Sequence, residues 1–344
     1  MKLGIIGAGM IVTSFLPEIL QVKEIQVTGI YARRIDAAKA LCQQYNIPLA
    51  TDNLEVLLSS GIDTVYVAVS NIAHYEFCKT ALEKGLHVIV EKPITANAEQ
   101  AIELKHLAVE KKLFLFEAIT TIHLGNYQKV AEWIPRIGTV RNVESIFTQR
   151  SSRLDAFLAG NIQPAFNPTL AGGCLMDLNV YCIHYVMGLF GKPLEAVYYP
   201  NMMNNVDTSG RMVLKYPDFT AHCFGAKDCG GNHGCMIQGT NGYIKTTLPP
   251  NQVGEAVLCL QDGTVERFDD GSGETRGASE FRIFAKAIRE NNLEFCYSTL
   301  EKSIAVAQVM TDARKQAGIV FPVTTDCKEI HRHLIGYRWR CCFL

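Results

Sequence analysis

Neither sign of charge dominates this chain: 33 basic and 34 acidic residues among 344 leave a formal charge of −1. Without a basic face or an acidic tail, nucleic acid is not an expected partner. Paired cysteines are also missing. Cys42, Cys78, Cys174, Cys182, Cys223, Cys229, Cys235, Cys259, Cys296, Cys327, Cys341 and Cys342 contain no CxxC, so reduced thiols in a cytoplasmic protein are expected rather than a disulfide framework. Cys223, Cys229 and Cys235 are evenly spaced, with His222 and His233 close to them, but this spacing lacks the paired knuckle of structural zinc sites, and no metal is expected. No run reaches the roughly 18–20 uninterrupted apolar residues of a membrane span. The opening "MKLGIIGAGMIVTSFLPEIL" is broken by glycines, Pro17 and Glu18 and has no small-residue cleavage site, so it does not read as a signal peptide. The final "RWRCCFL" matches a prenylation box formally, from Cys341 to Leu344, and reads as an unstructured tail.

What is present is ample apolar sequence, 48% of all residues, in a chain long enough for about two domains of roughly 150 residues. Short apolar runs alternate with helical patterns: "KLGIIGA", Met10 to Gln21, "EIQVTGIYA", Ile35 to Tyr45, "IDTVYVAVS", Ala73 to Lys84, "LHVIVE", Ala98 to Lys111 and "LFLFEAI". This rhythm predicts an α/β domain with a parallel, doubly wound sheet over residues 1–119. Strand-like runs then follow one another without intervening helices, from "TVRNVESIFTQ" to "EAVLCLQ". They predict an α+β domain over residues 120–322 with an open, mostly antiparallel sheet, leaving 323–344 as a tail.

Gly7, Ala8 and Gly9 stand where the first strand turns into the first helix. Missing Cβ atoms there let the backbone approach a diphosphate, and the helix N-terminus offers unpaired N–H groups. Val12 occupies the third fingerprint position in place of glycine, which requires compensating packing. After the second strand, where an acid would bind the ribose hydroxyl of NAD, the chain reads "IYARR". Arg33 and Arg34 suit a 2′-phosphate, so NADP is preferred over NAD, although Asp36 stands close by.

In "HVIVEKPITANAEQ" a buried strand ends on Glu91 and Lys92. Carboxyl ends of such strands are where ligands bind, which gives the charged pair a use. In "GGCLMDLNVYCIHYVMGLF" an otherwise apolar helix places Asp177, Tyr181 and His184 along one face. Polar groups on a buried helix need partners, either one another or a hydroxylated substrate.

Together "GIIGAGMI", "SNIAHYEFCKTALEKGLHVIVEKPIT" and "GGCLMDLNVYCIH" resemble the glucose-fructose oxidoreductase and inositol dehydrogenase family, Gfo/Idh/MocA. The resemblance runs to about residue 322. It implies a Rossmann domain, a second domain whose sheet forms a homodimer or homotetramer interface, and a cis Lys92-Pro93 bond. It implies Lys92 as catalytic residue, with Asp177 and Tyr181 beside it, and Tyr181 places the chain with the tyrosine branch that includes the dimeric dihydrodiol dehydrogenases. It implies that Gly7, Gly9, Met10, Ile11, Arg33, Arg34, Ser70, Asn71, His74, Glu91 and Lys92 line the cofactor. His123, Asp177 and His184 become substrate candidates. His123 stands in "TTIHLGNY", which lacks the family's usual arginine and proline, and Ser70 replaces a usual proline. Arg150 and Arg153 read as solvated loop arginines, with an anionic substrate as the other reading.

The implied chemistry is reversible hydride transfer between nicotinamide and the hydroxyl- or carbonyl-bearing carbon of a sugar, polyol or related small molecule. Tyrosine and lysine both titrate near roughly 10 when unperturbed, so the Lys92 ammonium is expected to bring Tyr181 towards the working pH. Either Tyr181 or Lys92 then carries the proton. Two alternatives on the same fold are a redox-assisted glycosidase and a non-catalytic nucleotide or sugar sensor.

Overall fold

The structure, a computed structural model, describes residues 1–322. The expected tail 323–344, with Cys327, Cys341 and Cys342, lies outside the described residues, as does the strand anticipated from Phe321 beyond its first two residues.

Alternating apolar runs and amphipathic helices build the first half as the sequence predicts. Strands β1 (Lys2–Ile6), β2 (Gln26–Tyr31), β3 (Leu49–Thr51), β4 (Thr64–Val67), β5 (His87–Glu91) and β6 (Leu115–Ala118) form one parallel sheet in the order β3-β2-β1-β4-β5-β6. Helices α1 (Met10–Ile19), α2 (Ile35–Tyr45), α3 (Leu54–Leu58), α4 (His74–Glu83) and α5 (Ala98–Lys111) make the connections. The order reverses between β1 and β4, and that reversal opens the crevice in which such sheets bind ligands. Asn53 and Asn97 cap α3 and α5 through their side chains. The short β3 and α3 were not anticipated, because three- and five-residue elements carry too little periodicity to read.

The second half is an eight-stranded mixed sheet. Its strands are β7 (Val140–Thr148), β8 (Glu195–Met203), β9 (Val206–Lys215), β10 (Thr220–Ala226), β11 (Gly234–Gly239), β12 (Gly242–Thr246), β13 (Ala256–Leu260) and β14 (Val265–Phe268). They run in the order β14-β13-β12-β11-β7-β10-β9-β8. Pairing is antiparallel except between β7 and β10. Helix α6 (Gly125–Trp133), the single turn-and-a-half α7 (Leu154–Leu158) and α8 (Val180–Phe190) accompany it. The run Pro168–Phe190 is long and apolar enough to cross a membrane by length and composition, but 72% of its most apolar 18-residue stretch is buried inside the protein. It is a core element: Val180, Ile183 and Val186 pack with Phe147, Met212 and Ala221 of the sheet.

The last two helices, α9 (Arg276–Arg289) and α10 (Leu293–Gln316), return to the first sheet. Phe281 and Phe284 lie in one core with Leu3, Ile5, Tyr66 and Phe116. Leu300 of α10 joins Val88 and Leu115, whereas Val309 and Met310 of the same helix face the second core. The two sheets are therefore tied by one continuous helix as well as by the chain crossing near residue 119. Phe281→Ala, which removes a fully buried ring set edge-on against Tyr66, is expected to cost about 3–5 kcal/mol in chemical denaturation. A loss within error would show that α9 does not contribute to the first core.

Candidate functional site

At the first strand end the backbone is shaped by close approach. Gly7 has φ +124°, and a Cβ there would lie 2.1 Å from the Ala68 carbonyl oxygen. Gly9, the N-cap of α1, has open space where a Cβ would stand. No side chain caps this helix and no acid occupies its first turn, so its unpaired N–H groups face Gly9 and Met10, both exposed. Val12, where a glycine was expected for packing, is fully buried in the core with Phe15 and Leu16. Arg33 and Arg34 are exposed, and no described carboxylate pairs with either. These residues fit a dinucleotide with a 2′-phosphate: open backbone donors for the diphosphate and two uncommitted guanidiniums for the phosphate.

At the end of β5 the Lys92-Pro93 bond is cis, as expected. The Lys92 ammonium donates to the Asp177 carbonyl oxygen at 2.6 Å and to Asp177 Oδ1 at 3.1 Å, and stands 4.8 Å from the centre of the Tyr181 ring. Asp177 lies in a wide π-turn, Leu175–Asn179, that runs directly into α8, and this turn presents both its carbonyl and its carboxylate to Lys92. Such turns are frequent at functional sites. Two devices set the turn. Gly173 has φ +128° and leaves room for Asp207, whose Oδ1 would be 2.0 Å from a Cβ there. Asp207 Oδ2 accepts from the Leu175 N–H at 2.7 Å and from the Tyr198 hydroxyl at 2.8 Å. Burial outweighs both bonds and pushes the Asp207 carboxyl up to about 6.

A second lysine completes the cluster. Lys227, directly after β10 and 2% exposed, holds Asp177 Oδ2 at 2.8 Å and the Ala165 carbonyl oxygen at 2.5 Å, with its ammonium 4.2 Å from the Phe166 ring centre. Burial raises the Asp177 pKa, but Lys227 and Lys92 together overcome it and hold the carboxyl well below the usual range. For Lys92 burial works towards the neutral amine, and Tyr181, Asp177 and Glu91 reverse that, so the ammonium is retained. Tyr181 behaves differently from the expectation. Burial dominates, Lys92 only moderates it, and the phenol is pushed up to about 12. Sequence reasoning missed Lys227, although a signal existed: "FTAHCFGAK" ends a buried strand on a lysine as "HVIVEK" does.

Several expected site residues are engaged elsewhere. Glu91 precedes Lys92 on the strand and so points to the opposite face. Its buried carboxyl accepts the Tyr66 hydroxyl, close to the buried and unpartnered Glu280, and burial raises its pKa. Its side chain is a core group, engaged away from Lys92. His74 is fully buried, with Nδ1 2.9 Å from the Pro93 carbonyl oxygen and Nε2 3.3 Å from that of Val69. It clasps the ends of β4 and β5 together, and burial lowers its pKa. Asn71 spends its amide N–H on the Ala171 carbonyl across the crevice at 2.8 Å, while Ser70 remains partly exposed beside it. His184 Nε2 stands 3.2 Å from Glu117 Oε2, out of line for a hydrogen bond, both groups buried. Glu117 in turn accepts the Ile94 N–H at 2.8 Å, so the pair supports the turn after Lys92. His123 lines a separate cavity of about 630 Å³ between α6, α8, α9 and α10, where burial takes its pKa down to about 4. Among the described residues no group of three His, Cys, Asp or Glu side chains is placed to hold a metal.

Comparisons with known proteins bear on this arrangement. A sequence model described as an oxidoreductase family with an NAD-binding Rossmann fold, Gfo/Idh/MocA, matches residues 1–119, and the Gfo/Idh/MocA C-terminal domain matches residues 127–245. The chain is 33% identical to a scyllo-inositol 2-dehydrogenase (NADP(+)) of Bacillus subtilis, across 93% of this chain and 98% of that one. It is 26% identical to a trans-1,2-dihydrobenzene-1,2-diol dehydrogenase of Xenopus tropicalis, across 93% and 99%. The fold matches that of a 3-ketoreductase from Actinomadura kijaniata solved with NADP and TDP-benzene, with a TM-score of 0.81 at 24% identity over 92% of this chain and 97% of that one.

Lys227→Met strips one partner from a carboxylate whose side chain is 32% exposed, so the expected loss of stability is roughly 2–4 kcal/mol, below that of a fully enclosed pair. Adding Asp177→Asn is expected to restore part of it in a double-mutant cycle. Strict additivity of the two changes would show that the pair is not coupled.

Proposed function

Because this chain belongs to the Gfo/Idh/MocA family of oxidoreductases, we propose that the Lys92–Asp177–Tyr181 cluster is its catalytic centre. The protein is an NAD(P)-dependent dehydrogenase or reductase that acts on the hydroxyl or carbonyl carbon of sugar-like small molecules, with NADP the preferred cofactor. NADP(H), when bound, supplies or accepts the hydride. Among the chain's own groups, the Tyr181 hydroxyl gives its proton to the carbonyl oxygen in reduction and takes it back in oxidation. The retained charge of Lys92 polarises that oxygen and steadies the phenolate that remains. Asp177, anchored on both oxygens by lysines and with its side chain about one-third exposed, accepts a hydrogen bond from a neighbouring hydroxyl and so orients a polyol or sugar. The observation that carries this reading is the Lys92 ammonium, hydrogen-bonded to Asp177 and set over the Tyr181 ring at once. Gly7, Gly9, Met10 and Ile11 cradle the diphosphate in the same reading, Arg33 and Arg34 read the 2′-phosphate, and Ser70 borders the nicotinamide side.

Residues 1–119 form the nucleotide unit in this reading and 120–322 the substrate unit, with α9 and α10 lent back to the first sheet. The assembly is a homodimer or homotetramer through the outer face of the eight-stranded sheet, supported by exposed Tyr199, Tyr243 and Val265. A reducing, cytoplasmic setting belongs to the same reading, supported by nine free thiols among the described residues.

The test is net oxidation of NADPH by the purified protein with a panel of ketoses, inososes and dicarbonyl compounds. Sustained, stoichiometric loss of NADPH supports the reading, and a nucleotide that is only recycled would move it to redox-assisted glycoside cleavage. Lys92→Met and Tyr181→Phe are each expected to lower kcat/KM by about 10²–10⁴; full activity in Tyr181→Phe would remove the tyrosine from its role. Arg33→Ala with Arg34→Ala is expected to weaken NADPH binding roughly 10- to 100-fold while leaving NADH nearly unchanged. With the phenol held up to about 12, Tyr181 is protonated and ready to donate throughout the neutral range. Reduction should then be flat between about pH 6 and 9, while oxidation, which needs the phenolate, rises with pH across the same interval. A rate of oxidation that levels off near neutrality would contradict this assignment.

A further inference from the structure

Arg153 lies in the second half of the chain yet touches the nucleotide turn. Its Nη2 donates to the sulfur of Met10 at 2.8 Å, and Met10 is the first residue of α1 and 66% exposed. A thioether is a poor acceptor for one of five guanidinium donors. Arg153 has no carboxylate partner among the described residues. Asp155, the nearest acid in sequence, is taken by Arg150 through two bonds of 2.6 and 3.3 Å.

Its surroundings make the contact a built one. Arg153 is the N-cap of α7, whose Leu154 and Phe157 are buried with Phe166 and Val206. The segment before it is fastened by the Ser151 N–H to the Lys227 carbonyl at 2.8 Å, and by the Arg153 N–H to the Ser151 hydroxyl at 3.2 Å. The guanidinium is thus carried on an anchored helix and brought across the crevice. There it meets the uncapped N-terminus of α1, which has no acid in its first turn. A cation facing the positive end of a helix is unfavourable by itself. An anion placed between them satisfies both, and the dinucleotide's diphosphate is the anion that such a turn receives.

Resting on the cofactor reading above, we propose that Arg153 is a clamp from the second domain that exchanges the Met10 sulfur for diphosphate oxygens and closes the crevice over the bound dinucleotide. The clamp also joins the two ends of the site, because the segment that carries it is bonded to Lys227, which holds Asp177.

The test compares full-length wild type, Arg153→Ala and Arg153→Lys by fluorescence titration with NADPH, and by competition with inorganic diphosphate and with adenosine 2′-monophosphate. Arg153→Ala is expected to raise the NADPH Kd tenfold or more, to weaken inorganic diphosphate as a competitor, and to leave adenosine 2′-monophosphate, which engages only Arg33 and Arg34, unchanged. Arg153→Lys is expected to recover part of the NADPH affinity by restoring the charge without the fork. An NADPH Kd within twofold of wild type in Arg153→Ala overturns the clamp. Equal weakening of adenosine 2′-monophosphate overturns it too, since the change would then be a general loss of structure. Failure of the wild type itself to bind NADPH would overturn the cofactor reading rather than this residue's part in it.

Discussion

One carboxylate organises the site. Asp177 is held on one oxygen by Lys92 and on the other by Lys227, and each of these lysines closes a buried strand of a different sheet. A buried ammonium such as that of Lys227 needs a counter-charge, because the cost of stripping water from an unpaired cation exceeds what packing returns. Asp177 serves both cations at once. The pairing therefore fixes the distance between β5 of the first sheet and β10 of the second, and the crevice between them takes its shape from that distance.

The remaining polar groups of the neighbourhood follow from the same demand. Asp207 and Tyr198 seat the turn that presents Asp177, and Gly173 is required because Asp207 occupies the space of its Cβ. Glu117 and His184 brace the chain just after Pro93, while His74 braces it from the other side. Tyr181 is the exception. It lies against Lys92 and still keeps its proton well above neutrality, because burial is the larger of the two effects. A phenol in that state is set to give a proton, which suits the reductive direction.

Much of the fold was legible from the chain. Helices α2 and α5 fall on the expected residues, and α1 and α4 begin and end within two positions of them, because each joins a clear apolar stripe to recognisable ends. The glycine turn, the two arginines after β2, and the trio Lys92, Asp177 and Tyr181 were equally visible, since they stand where local pattern and polarity conflict: glycine at a helix start, charge at the end of a buried strand, acid and hydroxyl in an apolar helix. The burial of the Glu91 side chain was not legible, because a strand's alternation sends adjacent residues to opposite faces, and the quoted motif does not say which of the two faces the crevice. The surroundings of His184 and His123 were not legible either, because a polar residue on a buried helix or loop announces only that it needs a partner.

The sequence by itself determined the order of strands and helices, the kind of cofactor, and the chemical identity of the groups available to move a proton. These depend on local periodicity and on side-chain chemistry, and both are written along the chain. Only the tertiary structure decided that Lys227 shares Asp177 with Lys92, that α9 and α10 return to the first sheet, and that Arg153 reaches Met10. Those contacts join residues dozens to hundreds of positions apart, and their register is set by how two cores close against each other, a property of packing that no short segment contains.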